Sequence, residues 1–394
     1  MAIKLDFEKR IQAKPEQIFF AFTNKTGMRE WFADIVEFNE DMSKSFVLTW
    51  NDGKSIFGTI IEKVENERIL FEVLTAEKHR RFDIEVLIEE EEEATLVKIE
   101  SKGVLEEDQD KVEDIWVNAL ENLKSIIEDG IDMRIYKKPM LGIKIGELIN
   151  PEIAKRKGYP IEYGFVIPKA IEGLGAQKAG VQPGDIMAEV DGKKVIDFDV
   201  LSALATAKAG DVLKTIIYRG EERLEIYITL SYLPTPDLPA SAQDLSDNIE
   251  KIYKKNEIEL NSILADVSEN AAEYRPAPGE WNIKEIIAHL ILTNRDLFYW
   301  AASLVAGKEN TIFTSVMPEK SKSVIASYPA MYQLCDELRK VRKENIAFLS
   351  EIPLIFTTRK CSFMRLSENV KQEQAHYVEH VEQIKTILEK AANI

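Results

Sequence analysis

Apolar positions follow three different rhythms along this chain. From Met1 to about Asp132 they alternate with period two. Ile3–Gln12, Ser45–Trp50, Ser55–Val64, Ile69–Leu74, Arg81–Ile88 and Thr95–Lys102 each turn one apolar face inward and predict antiparallel strands. Pro15 opens a short helix bearing Phe19, Phe20 and Phe22. Ile115, Trp116, Ala119, Leu120, Leu123 and Ile127 fall at helical spacing and predict a long amphipathic helix over Gln109–Glu128. A curved sheet gripping such a helix leaves room for a cavity; Trp31 and Trp116 are candidates to line it or to fill the core.

From Met133 to about Tyr232 the runs shorten and glycine punctuates them, at Gly142, Gly164, Gly175, Gly180, Gly184, Gly192, Gly210 and Gly220, with a helix predicted over 198–207. LPTPDLPAS, residues 233–241, places three prolines in nine positions and reads as a semi-rigid linker. From Ala242 to Ile394 the period lengthens to that of a helix. Helices are predicted over Gln243–Val267, Asn282–Ala306, Ala330–Leu349 and Ser367–Ala391, which is a four-helix bundle pattern. The fold class is therefore multidomain α+β: a curved sheet with a C-terminal helix over 1–132, a β-rich domain over 133–232 and an all-α bundle over 242–394.

Composition supports this division. A chain of 394 residues with 45% hydrophobic and 30% charged residues has the make-up of two to four globular domains. The net charge of −17 argues against nucleic acid as a partner, since phosphate binding needs a basic stripe. The excess is local: residues 1–133 hold 17 Lys and Arg against 32 Asp and Glu. Glu89 to Glu93 is a run of five carboxylates between two strands and reads as a solvated hairpin turn. No apolar run reaches membrane-spanning length, the start lacks a signal-peptide pattern, and two cysteines make no disulfide framework. The cytoplasm is the expected compartment.

The candidate chemistry lies in the last third. The chain has four histidines, and His376 and His380 stand four apart, on one helix face. With His289 from a facing helix they form a three-nitrogen set that leaves metal positions open, as a catalytic ion needs. Glu285 and Glu373 lie within a turn of these histidines and are candidates to orient an imidazole, although exposed helix glutamate is the commoner case. Cys335 is read as a buried helix thiol.

Three resemblances extend the reading. Ala13-Lys14-Pro15-Glu16-Gln17-Ile18-Phe19, Glu30-Trp31-Phe32, Trp116, Leu120, Leu123-Lys124 and Gly130-Ile131-Asp132 resemble the family related to the activator of the heat-shock-protein-90 ATPase, within the START-like helix-grip superfamily. That implies a cavity for an apolar small molecule or a surface for a client protein. Met140-Leu141-Gly142-Ile143, Gly164-Phe165-Val166-Ile167, the Pro183-Gly184-Asp185 turn and Val190-Asp191-Gly192 resemble a PDZ domain of the kind attached to bacterial HtrA-type proteases, a β-barrel-like fold. Gly142 can turn consecutive N–H groups toward a terminal carboxylate, the strand from Ile143 offers an edge, and Ile143, Ile145 and Leu201 would form the apolar pocket, so Met140 to Ile143 with those residues predict a site for hydrophobic C-terminal peptides. No Gly-x-Ser-x-Gly and no histidine placed for a serine triad accompany it.

Arg275-Pro276-x-Pro278-Gly279-Glu280-Trp281, Glu285, His289-Leu290 and His376-x-x-x-His380 with Gln383-Ile384 resemble the DinB-like superfamily of metal-binding bundles. The resemblance implies that His289, His376 and His380 hold a divalent ion, zinc or nickel, and that the bundle can pair into a homodimer. Some relatives are thiol-dependent transferases or isomerases. The functional expectation is a stress-related binding or adaptor protein, with a metal-dependent, thiol-dependent transferase or hydrolase as the alternative. The 307–322 stretch departs from the family pattern as an insertion between the second and third helices.

Overall fold

The computed structural model describes residues 1–39, 45–76, 79–197, 207–309 and 316–391. It divides into two compact units, residues 1–130 together with 236–394, and residues 131–235.

In the first third, strands β1 (Ala2–Ile11), β2 (Ile35–Asn39), β3 (Ser45–Thr49), β4 (Ser55–Val64), β5 (Arg68–Thr75), β6 (Arg81–Glu90) and β7 (Thr95–Leu105) form one antiparallel sheet in the order β1-β7-β6-β5-β4-β3-β2. Helices α1 (Pro15–Thr23) and α2 (Lys25–Trp31) fill the interval after β1, and α3 (Gln109–Glu128) follows β7. Proline at the first position of α1 suits a site where the missing N–H costs nothing. Asn24 caps α2 by accepting from the backbone N–H groups of Thr26 and Gly27. Ile11, Ile18, Phe22, Trp31, Leu48, Ile69, Val86, Ile99 and Leu123 share the core between sheet and helices. Gly58 is required in β4, because the Phe46 ring lies where a Cβ would stand, 2.1 Å away. The sequence pattern missed β2, five residues with no clean alternation, which gains its place by pairing Ile35 with Thr49 through Asn39 with Ser45.

The second unit contains α4 (Met133–Tyr136), β8 (Ile143–Lys144), α5 (Pro151–Lys157), β9 (Phe165–Val166), β10 (Lys169–Ala170), α6 (Gly175–Lys178), β11 (Ile186–Val190), β12 (Lys193–Lys194), β13 (Val212–Arg219) and β14 (Glu222–Thr229). Its strands form an open sheet, β12-β11-β13-β14 with β9 on β11, and a separate β8-β10 pair. Among the described residues no barrel closes, so the barrel-like expectation gives way to open sheets. Asp185 of the Pro-Gly-Asp turn is buried and takes two 2.8 Å hydrogen bonds from Arg219, which also donates to the Gly180 carbonyl. Nearly all of the helix expected over 198–207 lies outside the described residues, Leu201 included.

The last segment forms α7 (Ala242–Leu264), short α8 (Glu269–Glu273), α9 (Ile283–Val305), α10 (Met317–Ser327), α11 (Met331–Ser350), short α12 (Leu354–Thr357) and α13 (Lys360–Ala391). The four long helices match the sequence pattern closely. Two features were missed. α10 lies partly within the apparent insertion, and α13 begins seven residues before the expected Ser367, giving a helix of 32 residues.

Those added turns join the bundle to the helix-grip fold. Cys361 packs into the core that contains Trp31 and Leu123. Arg365 donates to Glu30 Oε1 at 3.0 Å and to both oxygens of Glu309 at 2.7 and 2.8 Å. Ser362 donates to Glu30 at 2.6 Å, while Arg29 and Trp300 donate to Glu309 at 2.5 and 2.8 Å. Arg359 lies over the Phe20 ring, 4.7 Å from its centroid, and donates to the Val305 carbonyl. Gly130, at φ +78°, ends α3 against Lys360, where an added Cβ would sit 3.0 Å from the lysine Cβ. Both carboxylates are almost fully buried, so each needs the guanidinium it meets.

Candidate metal centre

The three histidines of the last third meet in space. The Pro276–Gly279 turn, with Gly279 at φ +88°, delivers Trp281 to the start of α9. There Asn282 and Glu285 form a capping box with two 2.9 Å hydrogen bonds, which fixes the first turn and places His289 facing α13. On α13, His376 and His380 stand one turn apart. The Nε2 atoms of His289 and His376 are 3.1 Å apart, and those of His376 and His380 are 2.9 Å apart. One ligand atom from each residue lies within 4.8 Å of the others, and all three side chains are half-buried.

This arrangement is frustrated as a hydrogen-bond network. A neutral imidazole has one N–H and one lone pair, and three Nε2 atoms aimed at one point cannot all be satisfied by each other. The His380 Nδ1 lies 3.0 Å from Gln383 Oε1, an amide oxygen that can only accept. Nδ1 therefore carries the proton, and the Nε2 lone pair is left to face the other two histidines. Nδ1 of His289 is buried with no hydrogen-bond partner among the described residues. Burial lowers the His289 pKa to about 4, helped by the neighbouring His380 and His376, and burial followed by His380 lowers that of His376. Those two rings are thus neutral near pH 7, the form in which imidazole binds metal. Trp281 packs 4.8 Å from the His289 ring and stacks on His380 at 5.9 Å, forming one wall.

The two glutamates considered as orienting groups are engaged elsewhere. Glu285 holds the α9 cap and an ion pair to Arg275 at 2.7 Å. Glu373 is buried and accepts from Asn294 at 2.7 Å and Gln374 at 2.8 Å, within a polar layer fed by all four long helices. Its burial raises its pKa against the opposing effects of Arg342 and Asn294. Gln383 is the partner that sequence reasoning left without a role. Its spacing, three residues after His380 on one helix face, was the available signal. Cys335 is half-buried, and that burial pushes its thiol up to about 11, so it is protonated at neutral pH.

Trp31 donates to the Ala21 carbonyl at 2.9 Å, and Trp116 to Ser101 Oγ at 3.1 Å while stacking on Phe32 at 5.4 Å. Both indoles are buried in the sheet–helix core with their polar atoms satisfied. In the second unit, Gly142 takes φ +82°, and an added Cβ there would meet Leu174 Cβ at 2.5 Å. Met140 bridges to Ser231, Leu141 is buried in the unit's core, Ile143 is half-buried and Ile145 is exposed. Among the described residues, strand β8 is paired on one side only, by β10.

Two family models match the chain in separate places. Residues 253–383 match the DinB superfamily, and residues 12–128 match the Activator of Hsp90 ATPase homolog 1-like protein family. A START-like module and a DinB-like module share this chain. Between them lies a PDZ-like module similar to those of HtrA-type proteins. Among curated relatives is the Periplasmic pH-dependent serine endoprotease DegQ of Escherichia coli (strain K12), 30% identical over 128 residues, which are 32% of this chain and 28% of that protein. The chain thus spans less than a third of the length of the first curated relatives it matches. Among solved structures, the solution structure of the Aha1 dimer from Colwellia psychrerythraea covers 32% of this chain and 98% of its own, at 19% identity and TM-score 0.30. The HtrA3 PDZ domain bound to a phage-derived ligand (FGRWV) covers 24% of this chain and 88% of its own, at 23% identity and TM-score 0.21. Among the described residues, no helix is long and apolar enough to cross a membrane.

Proposed function

We propose that this chain is a cytoplasmic, stress-related adaptor whose bundle holds one divalent ion, zinc or nickel, on His289, His376 and His380. The convergence of the three Nε2 atoms carries this reading. Neutral nitrogens aimed together in a half-buried site are stabilised by a cation at their focus and by little else. In this reading the helix-grip module receives an apolar small molecule or a client protein. The PDZ-like module takes a C-terminal peptide ending in a hydrophobic residue, by strand addition at β8 beneath the Gly142 turn. Pairing of bundles into a homodimer belongs to the same reading.

The alternative is a metal-dependent transferase or hydrolase acting on a small molecule, including a thiol conjugate. Three protein nitrogens leave coordination positions open, and an ion there would supply Lewis-acid chemistry. The contacts described above favour the adaptor. The hydrogen-bonded partner of the triad is Gln383, whose amide cannot transfer a proton, and Glu285 and Glu373 bond to other groups.

The full chain, purified without chelator and then supplied with zinc or nickel, should carry about one ion per molecule by elemental analysis, and His376→Ala should lose it. Parent protein that takes up no metal after add-back overturns the metal reading. Turnover of a thiol conjugate that disappears with His376→Ala would select the enzyme. A C-terminal peptide library should return ligands with hydrophobic final residues, and a Gly142→Val variant should lose them; a library without binders removes the peptide-binding role.

A further inference from the structure

Between α7 and α11, away from the contacts that join the bundle to the helix-grip fold, lies an open groove of about 1190 Å³. Leu260, Met331, Leu338 and Ile346 give it apolar walls, and two buried polar residues, Tyr253 and Arg342, form its inner surface. Arg342 is 4% exposed. Its guanidinium is held between the rings of Tyr253 and Tyr377, 4.8 and 4.3 Å from their centroids.

The neighbouring carboxylate does not use it as a donor. The hydrogen bonds to Glu373 Oε1 and Oε2 come from the amides of Asn294 and Gln374. Among the described residues, Nε and Nη2 of Arg342 have no acceptor. A buried guanidinium with open donors is among the costlier things a fold can hold, and it is relieved by an anion with acceptor oxygens. The groove rim points the same way. Carboxylates Glu250, Glu257 and Asp336 each face a basic neighbour, Lys254, Arg339 and Lys340, whereas exposed Lys343 makes no ion pair among the described residues.

We propose that the α7/α11 groove is a binding site for a small organic anion with an apolar body, whose carboxylate is taken by Arg342. The groove's size suits a small molecule. Apolar walls select the body, and the buried cation selects the head group. The proposal is independent of the metal reading, because Arg342 and the groove walls hold no metal ligand.

Octanoate titrated into the full chain tests it, with octanamide as a neutral match of the same length. Octanoate should bind one molecule per chain by calorimetry and shift the Arg342 Nε–H resonance, and octanamide should bind at least about tenfold more weakly. Arg342→Gln should lower octanoate affinity by about tenfold or more with helical circular dichroism unchanged. Should that variant fail to fold, Ile346→Trp keeps the guanidinium, narrows the groove one helical turn from it and should weaken binding. Absence of octanoate binding, equal affinity for octanamide, or undiminished binding to Ile346→Trp would each overturn the proposal, leaving internal water as the partner of Arg342.

Discussion

Two clusters of polar side chains on α13 have opposite electrostatic character. Near its start, Arg365 and Arg29 face Glu30 and Glu309, two cations against two carboxylates, with Ser362 and Trp300 adding donors. Each charge meets its opposite, and the mutual attraction offsets much of the desolvation. Three turns on, His376 and His380 face His289, and three like groups converge with nothing of opposite sign among their hydrogen-bond partners in the described residues. A closed cluster of opposite charges holds two modules together. An open cluster of like nitrogens is what the proposed metal site would require. The contrast sets the joint between two modules against the proposed metal site without reference to any relative.

Disturbing the closed cluster should have the largest effect. Arg365→Ala leaves two nearly fully buried carboxylates short of a partner and should lower the stability of the full chain by about 3 kcal/mol in urea unfolding. Adding Glu30→Gln should recover part of that loss. An Arg365→Ala chain as stable as the parent would remove the claim that these charges fix the joint.

The open cluster should respond with the opposite sign when metal is withheld. In chelator-treated protein, His376→Leu removes one of three crowded polar nitrogens and should leave stability unchanged or raise it by about 1 kcal/mol. With metal at a thousandfold excess over its dissociation constant, the parent alone should gain about 4 kcal/mol. A metal-free His376→Leu chain markedly less stable than its parent would make the triad a structural cluster like the other. The smallest effect belongs to Gln383→Met, which keeps the volume and removes the acceptor for His380 Nδ1. Metal affinity should fall about ten- to a hundredfold with metal-free stability unchanged, and equal affinity would show that Gln383 does not orient the ring.

Much of this was legible from residue spacing. The expected strand Ser55–Val64 and helix Gln109–Glu128 coincide with β4 and α3, because ten and twenty residues of regular pattern leave few alternatives. The four long helices were equally clear. The misses share a cause. β2 is too short to show a period, and the first turns of α13 carry polar residues, Arg365 among them, that read as loop until they meet Glu30 across the joint. Gln383 was visible as part of a pattern, yet its role depends on a ring rotation that spacing does not encode.

The sequence by itself determined the three rhythms, the helix faces and the pairing of His376 with His380, since these follow from local periodicity and backbone geometry. Only the tertiary structure decided which distant residues share a site. It brought His289 to that pair, occupied Glu285 and Glu373 elsewhere, set Arg365 between Glu30 and Glu309, and left Nε and Nη2 of Arg342 without an acceptor among the described residues. Such outcomes turn on which side chain reaches a partner first in a crowded interior, and angstrom distances between chain-distant atoms settle that.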